Sequence, residues 1–61
     1  MIKIIFVNES KKILLESFAP VLPDRNENVE IERKTYIVEA RSFKASEDGM
    51  LAYIMLCRID V

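Results

Sequence analysis

Three short runs rich in β-branched and aromatic residues constrain the fold of this chain more than any other feature. They are Val29–Glu32, Thr35–Arg41 and Leu51–Ile59, and polar residues separate them. Runs of this length and composition, bounded by turn formers, are typical of β-strands. We therefore expect the second half of the chain to form three strands joined by short turns.

Two further runs precede them. Ile2–Val7 is β-branched with one phenylalanine and is predicted to be a strand. Lys11–Phe18 fits either a strand or a short helix over residues 10–19 that Ser10 would cap. The strand is favoured, because Pro20 would break such a helix after barely two turns.

Turn formers divide these runs and indicate how they connect. The segment Pro20–Asn28 contains both prolines and is predicted to be the main loop. Gly49, the one glycine, follows Glu47 and Asp48 and suits a three-residue hairpin loop with Gly49 in the left-handed bulge position. Five strands in hairpin order predict an all-β fold, a small antiparallel five-stranded barrel or strongly bent sheet, with α+β as the alternative if residues 10–19 are helical.

Size and charge limit the function. A chain of 61 residues is predicted to be one domain, residues 1–61, near the lower limit for folding alone. The net charge of −1 lacks the basic excess of most nucleic-acid-binding domains, so nucleic acid is not the favoured partner. The apolar start, Met1–Val7, is too short to span a membrane. We expect a cytoplasmic protein with no membrane segment.

The sequence offers little for catalysis. Histidine is absent, and the serines occur in no recognisable activation motif. Cys57 is the one cysteine and lies among apolar residues, where a small buried side chain is expected rather than a reactive thiolate. We therefore predict a protein that is not an enzyme, with no cofactor and no metal.

A sparse pattern in the last forty residues resembles a loose group of very small phage and prophage proteins. Its elements are a proline before a polar turn, V-x-I, Y-x-V and a long final strand. The residues that carry it are Pro23, Val29, Ile31, Tyr36, Val38 and the run Leu51–Ile59. The resemblance implies an SH3-like β-barrel. It also implies a host-factor inhibitor, an anti-defence protein or a virion accessory.

Apolar residues on both faces of the strands indicate how such a module would act. We predict that the face with Leu51, Tyr53, Met55, Cys57 and Ile59 lies inside, opposite Ala52, Ile54, Leu56, Arg58 and Asp60. The surplus apolar side chains outside would then be covered by the main loop, by a second subunit or by a partner. This favours protein–protein interaction and a homo-oligomer, with a dimer preferred. The predicted protein-binding residues are Ile37, Ile54 and Leu56, with Glu30, Glu32 and Arg41 at the rim.

An alternative function uses the cations of the central strands. Aromatic side chains flanked by basic ones can stack bases and hold phosphates on a small barrel. The residues in question are Arg33, Lys34, Tyr36, Arg41, Phe43 and Lys44. They would form a site for single-stranded nucleic acid.

Overall fold

A computed structural model describes residues 2–59 and consists of five strands. The strands are β1 Ile2–Val7, β2 Ile13–Ala19, β3 Asn28–Ile31, β4 Lys34–Ser46 and β5 Gly49–Arg58. The prediction of an all-β fold with five strands is confirmed, and residues 13–19 form a strand rather than the alternative helix. The described residues do not include Met1, Asp60 and Val61. The two ends of the predicted domain, and the prediction of which face of the last strand carries Asp60, therefore lie outside them.

The strands form one curled, half-barrel sheet in the order β2-β1-β5-β4-β3. Three of the four ladders are antiparallel, as the hairpin order predicts. The ladder between β1 and β5 is parallel and runs from Lys3 opposite Leu51 to Val7 opposite Met55. Hairpin order predicts pairing only between strands that follow each other in the chain. A parallel pair needs a long connection instead, and here β2, β3 and β4 supply it.

The core lies on the inner, concave face of the curl. Its buried residues come from four of the strands and are Ile4, Phe6, Ile31, Tyr36, Val38, Ala52, Ile54 and Leu56. Leu14 of β2 and Leu22 of the main loop pack against this cluster, so the loop covers part of the inner face. The loop is fastened to β4 by two backbone hydrogen bonds of 2.9 Å, from the Asn26 N–H to the Val38 carbonyl and from the Val38 N–H to the Glu27 carbonyl.

The prediction of which face of β5 is buried is wrong: the face predicted to lie outside is in the core, and the face predicted to lie inside is the outer one. Ile54 and Leu56 are 0% exposed, whereas Tyr53, predicted to lie inside, is 39% exposed. Both faces of this strand are apolar, so alternation alone does not say which one is buried. The sheet decides it, because Ile54 lies beside Phe6 of β1, and Leu56 beside Val38 of β4.

A β-bulge at Glu39, halfway along β4, changes which residues of the strand point to the inner face and which point to the outer face. Val38 pairs with Leu56 and Ala40 pairs with Met55, so Glu39 is an extra residue opposite the ladder. Without the bulge Ala40 would share the inner face with Val38. With it, Ala40 joins Met55 on the outer, convex face. The bulge therefore shapes the outer surface at this point.

Candidate functional site

The predicted protein-binding patch does not exist as a surface. Ile54 and Leu56 are fully buried in the core, and Ile37 is half-buried. This corrects the prediction that they form an accessible apolar patch, and the reason is the reversed facing of β5. The predicted rim residues Glu30, Glu32 and Arg41 are exposed on the β3–β4 side of the sheet.

Exposed apolar residues gather instead on the outer face. Cross-strand pairs place Val7 beside both Ile13 and Met55, and Tyr53 beside Ile5. Phe18 lies on the same face opposite Lys3. We call the following set the outer apolar surface: Val7, Ile13, Phe18, Leu51, Tyr53 and Met55.

Three members of this surface, Ile13, Phe18 and Tyr53, are exposed, and the other three are half-buried. Phe18 is 64% exposed and Ile13 is 54% exposed. Single exposed apolar residues are common on proteins, but neighbouring ones on adjacent strands mark interaction sites. The Lys3–Glu16 ion pair, 3.4 Å between Nζ and Oε1, separates Phe18 from the other members of the surface.

A shallow groove of about 440 Å³ runs through the outer apolar surface. Val7, Ile13, Tyr53 and Met55 supply its apolar lining, together with Ala40, which the bulge turns to this face. Lys11, Arg41 and Ser42 complete the lining. The groove is therefore apolar at its centre, with hydrogen-bond donors among the side chains of its walls. Such a surface is more stable when a protein covers it than when water does.

The predicted nucleic-acid residues are not brought together. Tyr36 is 8% exposed and belongs to the core, so its ring is not available for stacking. Arg33 and Lys34 lie at one end of β4, and Phe43 and Lys44 lie toward the other end. Ten residues of strand separate Lys34 from Lys44, about 30 Å. No single nucleotide could contact both ends.

One pair from that set does meet. The Arg41 guanidinium lies over the Phe43 ring, 5.5 Å from its centre. The same guanidinium donates to the Pro23 carbonyl at 3.1 Å and approaches Asp24 Oδ1 at 3.4 Å. Arg41 thereby ties the main loop to β4.

Sequence reasoning missed one cluster of potential metal ligands. The Cys57 thiol donates to Glu9 Oε1 at 3.0 Å, and the ligand atoms of Glu9, Glu39 and Cys57 all lie within 4.8 Å of one another. These residues could hold a metal ion, although three donors are one fewer than a structural zinc site takes from the protein. Glu9 and Cys57 are 48 residues apart. No local motif could have indicated that they meet.

None of the described residues belongs to a helix that could cross a membrane. Comparison of the chain with protein-family models, with curated proteins and with solved structures finds no match.

Proposed function

We propose that this protein is a non-enzymatic protein–protein interaction module that docks through its outer apolar surface. The observation that carries the proposal is the exposure of Ile13 and Phe18 on β2 and of Tyr53 on β5, on one face of the sheet with β1 between them. Aromatic side chains are enriched where proteins bind one another, and their burial supplies most of the binding free energy. A partner that covers this face removes apolar area from water at about 25 cal/mol per Å².

The outer apolar surface is also preorganised for binding, because part of it lies on a central strand of the sheet. Tyr53 and Met55 lie on β5, and β5 is flanked by hydrogen-bonded strands on both sides. Side chains on a paired central strand lose less conformational freedom on docking than side chains on a mobile loop. Preorganisation of this kind favours a lasting contact.

Occupation of another protein's surface is a complete mechanism for such a module. It needs no nucleophile, cofactor or metal, in keeping with the residues that the chain contains. The sequence resemblance to very small phage proteins supports an extension of the proposal, in which the partner is a host protein whose working surface is blocked.

Site-specific photo-crosslinking tests the proposal. A benzophenone amino acid replaces Tyr53 on the outer apolar surface, and a matched protein carries it at Arg58, an exposed residue at the end of β5 that pairs with Tyr36. In cells that make the protein, we expect a discrete cross-linked protein from position 53 and none from position 58. The cross-link should fade when Ile13→Ser is added. Equal labelling from both positions, or none from position 53, would refute docking at this surface.

A further inference from the structure

At the β3–β4 edge of the sheet, β3 covers only the first part of β4, so the edge is one strand wider there than along residues 40–46. We call this change in width the step. The short strand β3 pairs with β4 only from Lys34 to Ile37, and the backbone of the main loop covers Val38. Beyond the bulge, from Ala40 to Ser46, no described strand pairs with that side of β4. Alternate N–H and carbonyl groups along these seven residues therefore face away from the sheet. An open strand edge of this length is a template for another strand.

The two parts of the step carry opposite charges. The open part of β4, residues 40–46, contains Arg41 and Lys44 and no acidic residue. The protruding part, residues 27–32, contains three glutamates and no basic residue. Arg41 is already paired with Asp24 of the main loop at 3.4 Å, so Lys44 is the cation of the open part that would meet a partner strand. Two open β4 edges would each bring a lysine and no acidic residue to the contact, which is unfavourable because like charges on adjacent strands are destabilising. An acidic strand such as β3 would be attracted.

We propose that the step is filled by a second copy of this chain. A two-fold axis perpendicular to the sheet, level with Ala40, would place β3 of each copy against the open part of β4 of the other. The contact is isologous, so both steps are filled at once and the assembly closes as a dimer. In this arrangement β3 runs parallel to the β4 that receives it.

The register of the sheet sets which side chains would meet. Glu30 lies opposite Thr35 in its own copy, on the outer face, because its neighbour Val29 pairs with the core residue Tyr36. The two-fold axis carries Glu30 to the level of Lys44 of the second copy. Lys44 is also on the outer face, since it pairs with Leu51. The pair is therefore a carboxylate beside an ammonium on the same side of the joined sheet.

The turn after β3 extends the complementarity. The same axis carries Arg33 to the level of Ser46 and Glu47 at the far end of the second copy's β4. Joining the edges in this way keeps both outer faces on one side, so two outer apolar surfaces become parts of one continuous sheet. The dimer is distinguishable from the proposed docking function, because none of the six residues of the outer apolar surface lies in the dimer contact. Ala40, Arg41 and Ser42 border both the open part of β4 and the groove.

Charge reversal tests the dimer. Light scattering across a dilution series should give a dimer mass for the unaltered protein. Glu30→Lys and Lys44→Glu should each weaken dimerisation at least about tenfold, since like charges that face each other across an interface cost several kcal/mol. An equimolar mixture of the two variants should recover the dimer, because the heterodimer regains both Glu–Lys contacts. Lys12→Glu, an exposed charge reversal in the turn between β1 and β2, should leave the mass unchanged.

A second measurement uses the unaltered protein. Carbodiimide coupling should join Glu30 to Lys44, and a mixture of isotopically light and heavy protein should show that the bond links two copies. A monomer at every concentration, or a mixture no tighter than the single variants, would overturn the inference. So would a dimer that survives both reversals and is lost with Tyr53→Ser, because that result would place self-association on the outer apolar surface.

Discussion

Ile54 and Ile13 show how strongly environment decides the contribution of one residue type. Ile54 is fully buried at the centre of the core, between β1 and β4, whereas Ile13 is 54% exposed on the edge strand β2. Removing buried methyl groups loses the transfer free energy and leaves a cavity. Removing exposed ones loses little. Stability in this protein is concentrated in a few residues of the inner face.

We predict that Ile54→Ala lowers the free energy of unfolding by about 3 kcal/mol, within the range for large-to-small substitutions in a core. Ile13→Ala should change it by less than about 0.5 kcal/mol. Urea unfolding followed by circular dichroism measures both. The inner face assigned to β5 is contradicted if the two variants lose similar stability.

At the scale of elements, the hairpin between β4 and β5 depends on its glycine. Ser46 pairs with Gly49, and Gly49 has a φ of +131°, a conformation that side chains with a Cβ rarely adopt. A Cβ at this position would have no neighbouring heavy atom within 4 Å. Any cost of adding one therefore comes from the backbone and not from crowding.

We predict that Gly49→Ala destabilises the protein by about 1–2 kcal/mol, the cost of holding a non-glycine residue in a disfavoured conformation. Glu47→Ala, in the same turn, is the matched control and should be close to neutral. Thermal unfolding compares the two. Equal melting temperatures would show that the turn relaxes to accommodate the alanine.

The bulge at Glu39 is the element that ties the fold to the proposed function. It turns Ala40 toward the outer groove and ends the part of β4 that the main loop and β3 cover. The same residue thus separates the paired part of β4 from the open part. Bulges commonly redirect side chains in this way near binding sites.

At the scale of the whole molecule, β1 and β5 hold the sheet together. Each has a paired strand on both sides, and their parallel ladder joins the start of the chain to its end. The edge strands β2 and β3 each pair on one side only. Local opening should therefore begin at the edges, because fewer contacts are lost there.

We predict that native-state hydrogen exchange is slowest for the amides of Ile4, Phe6 and Ile54 and faster by orders of magnitude along β3 and around the Ser46–Gly49 turn. Amide exchange followed by nuclear magnetic resonance measures this directly. Protection of β3 equal to that of β5 in dilute protein would contradict the monomer's topology. Protection of β3 that rises with protein concentration would support the dimer.

Several features could be predicted from local residues. The β-branched runs identified the strands, because they pack well on a pleated surface. Gly49 identified a hairpin turn, because few other residues adopt its φ. Each of these inferences rests on the properties of a few adjacent residues.

The facing of β5 could not be predicted in the same way. Tyr53 and Ile54 are both apolar, so alternation identifies two faces without saying which is buried. The predicted binding patch around Ile54 and Leu56 was wrong for this reason. Tyr53, the exposed aromatic residue of β5, is on the other face, which had been assigned to the interior.

By itself, the sequence identified the strand-forming runs and the turns between them, with a helix over residues 10–19 as the alternative to β2, since those properties depend on residues close together in the chain. Only the tertiary structure decided the parallel ladder between β1 and β5, the buried face of β5 and the open step beside β4. Each of these depends on which distant strands become neighbours. That choice follows from the free energy of the whole packed sheet, and no short segment encodes it.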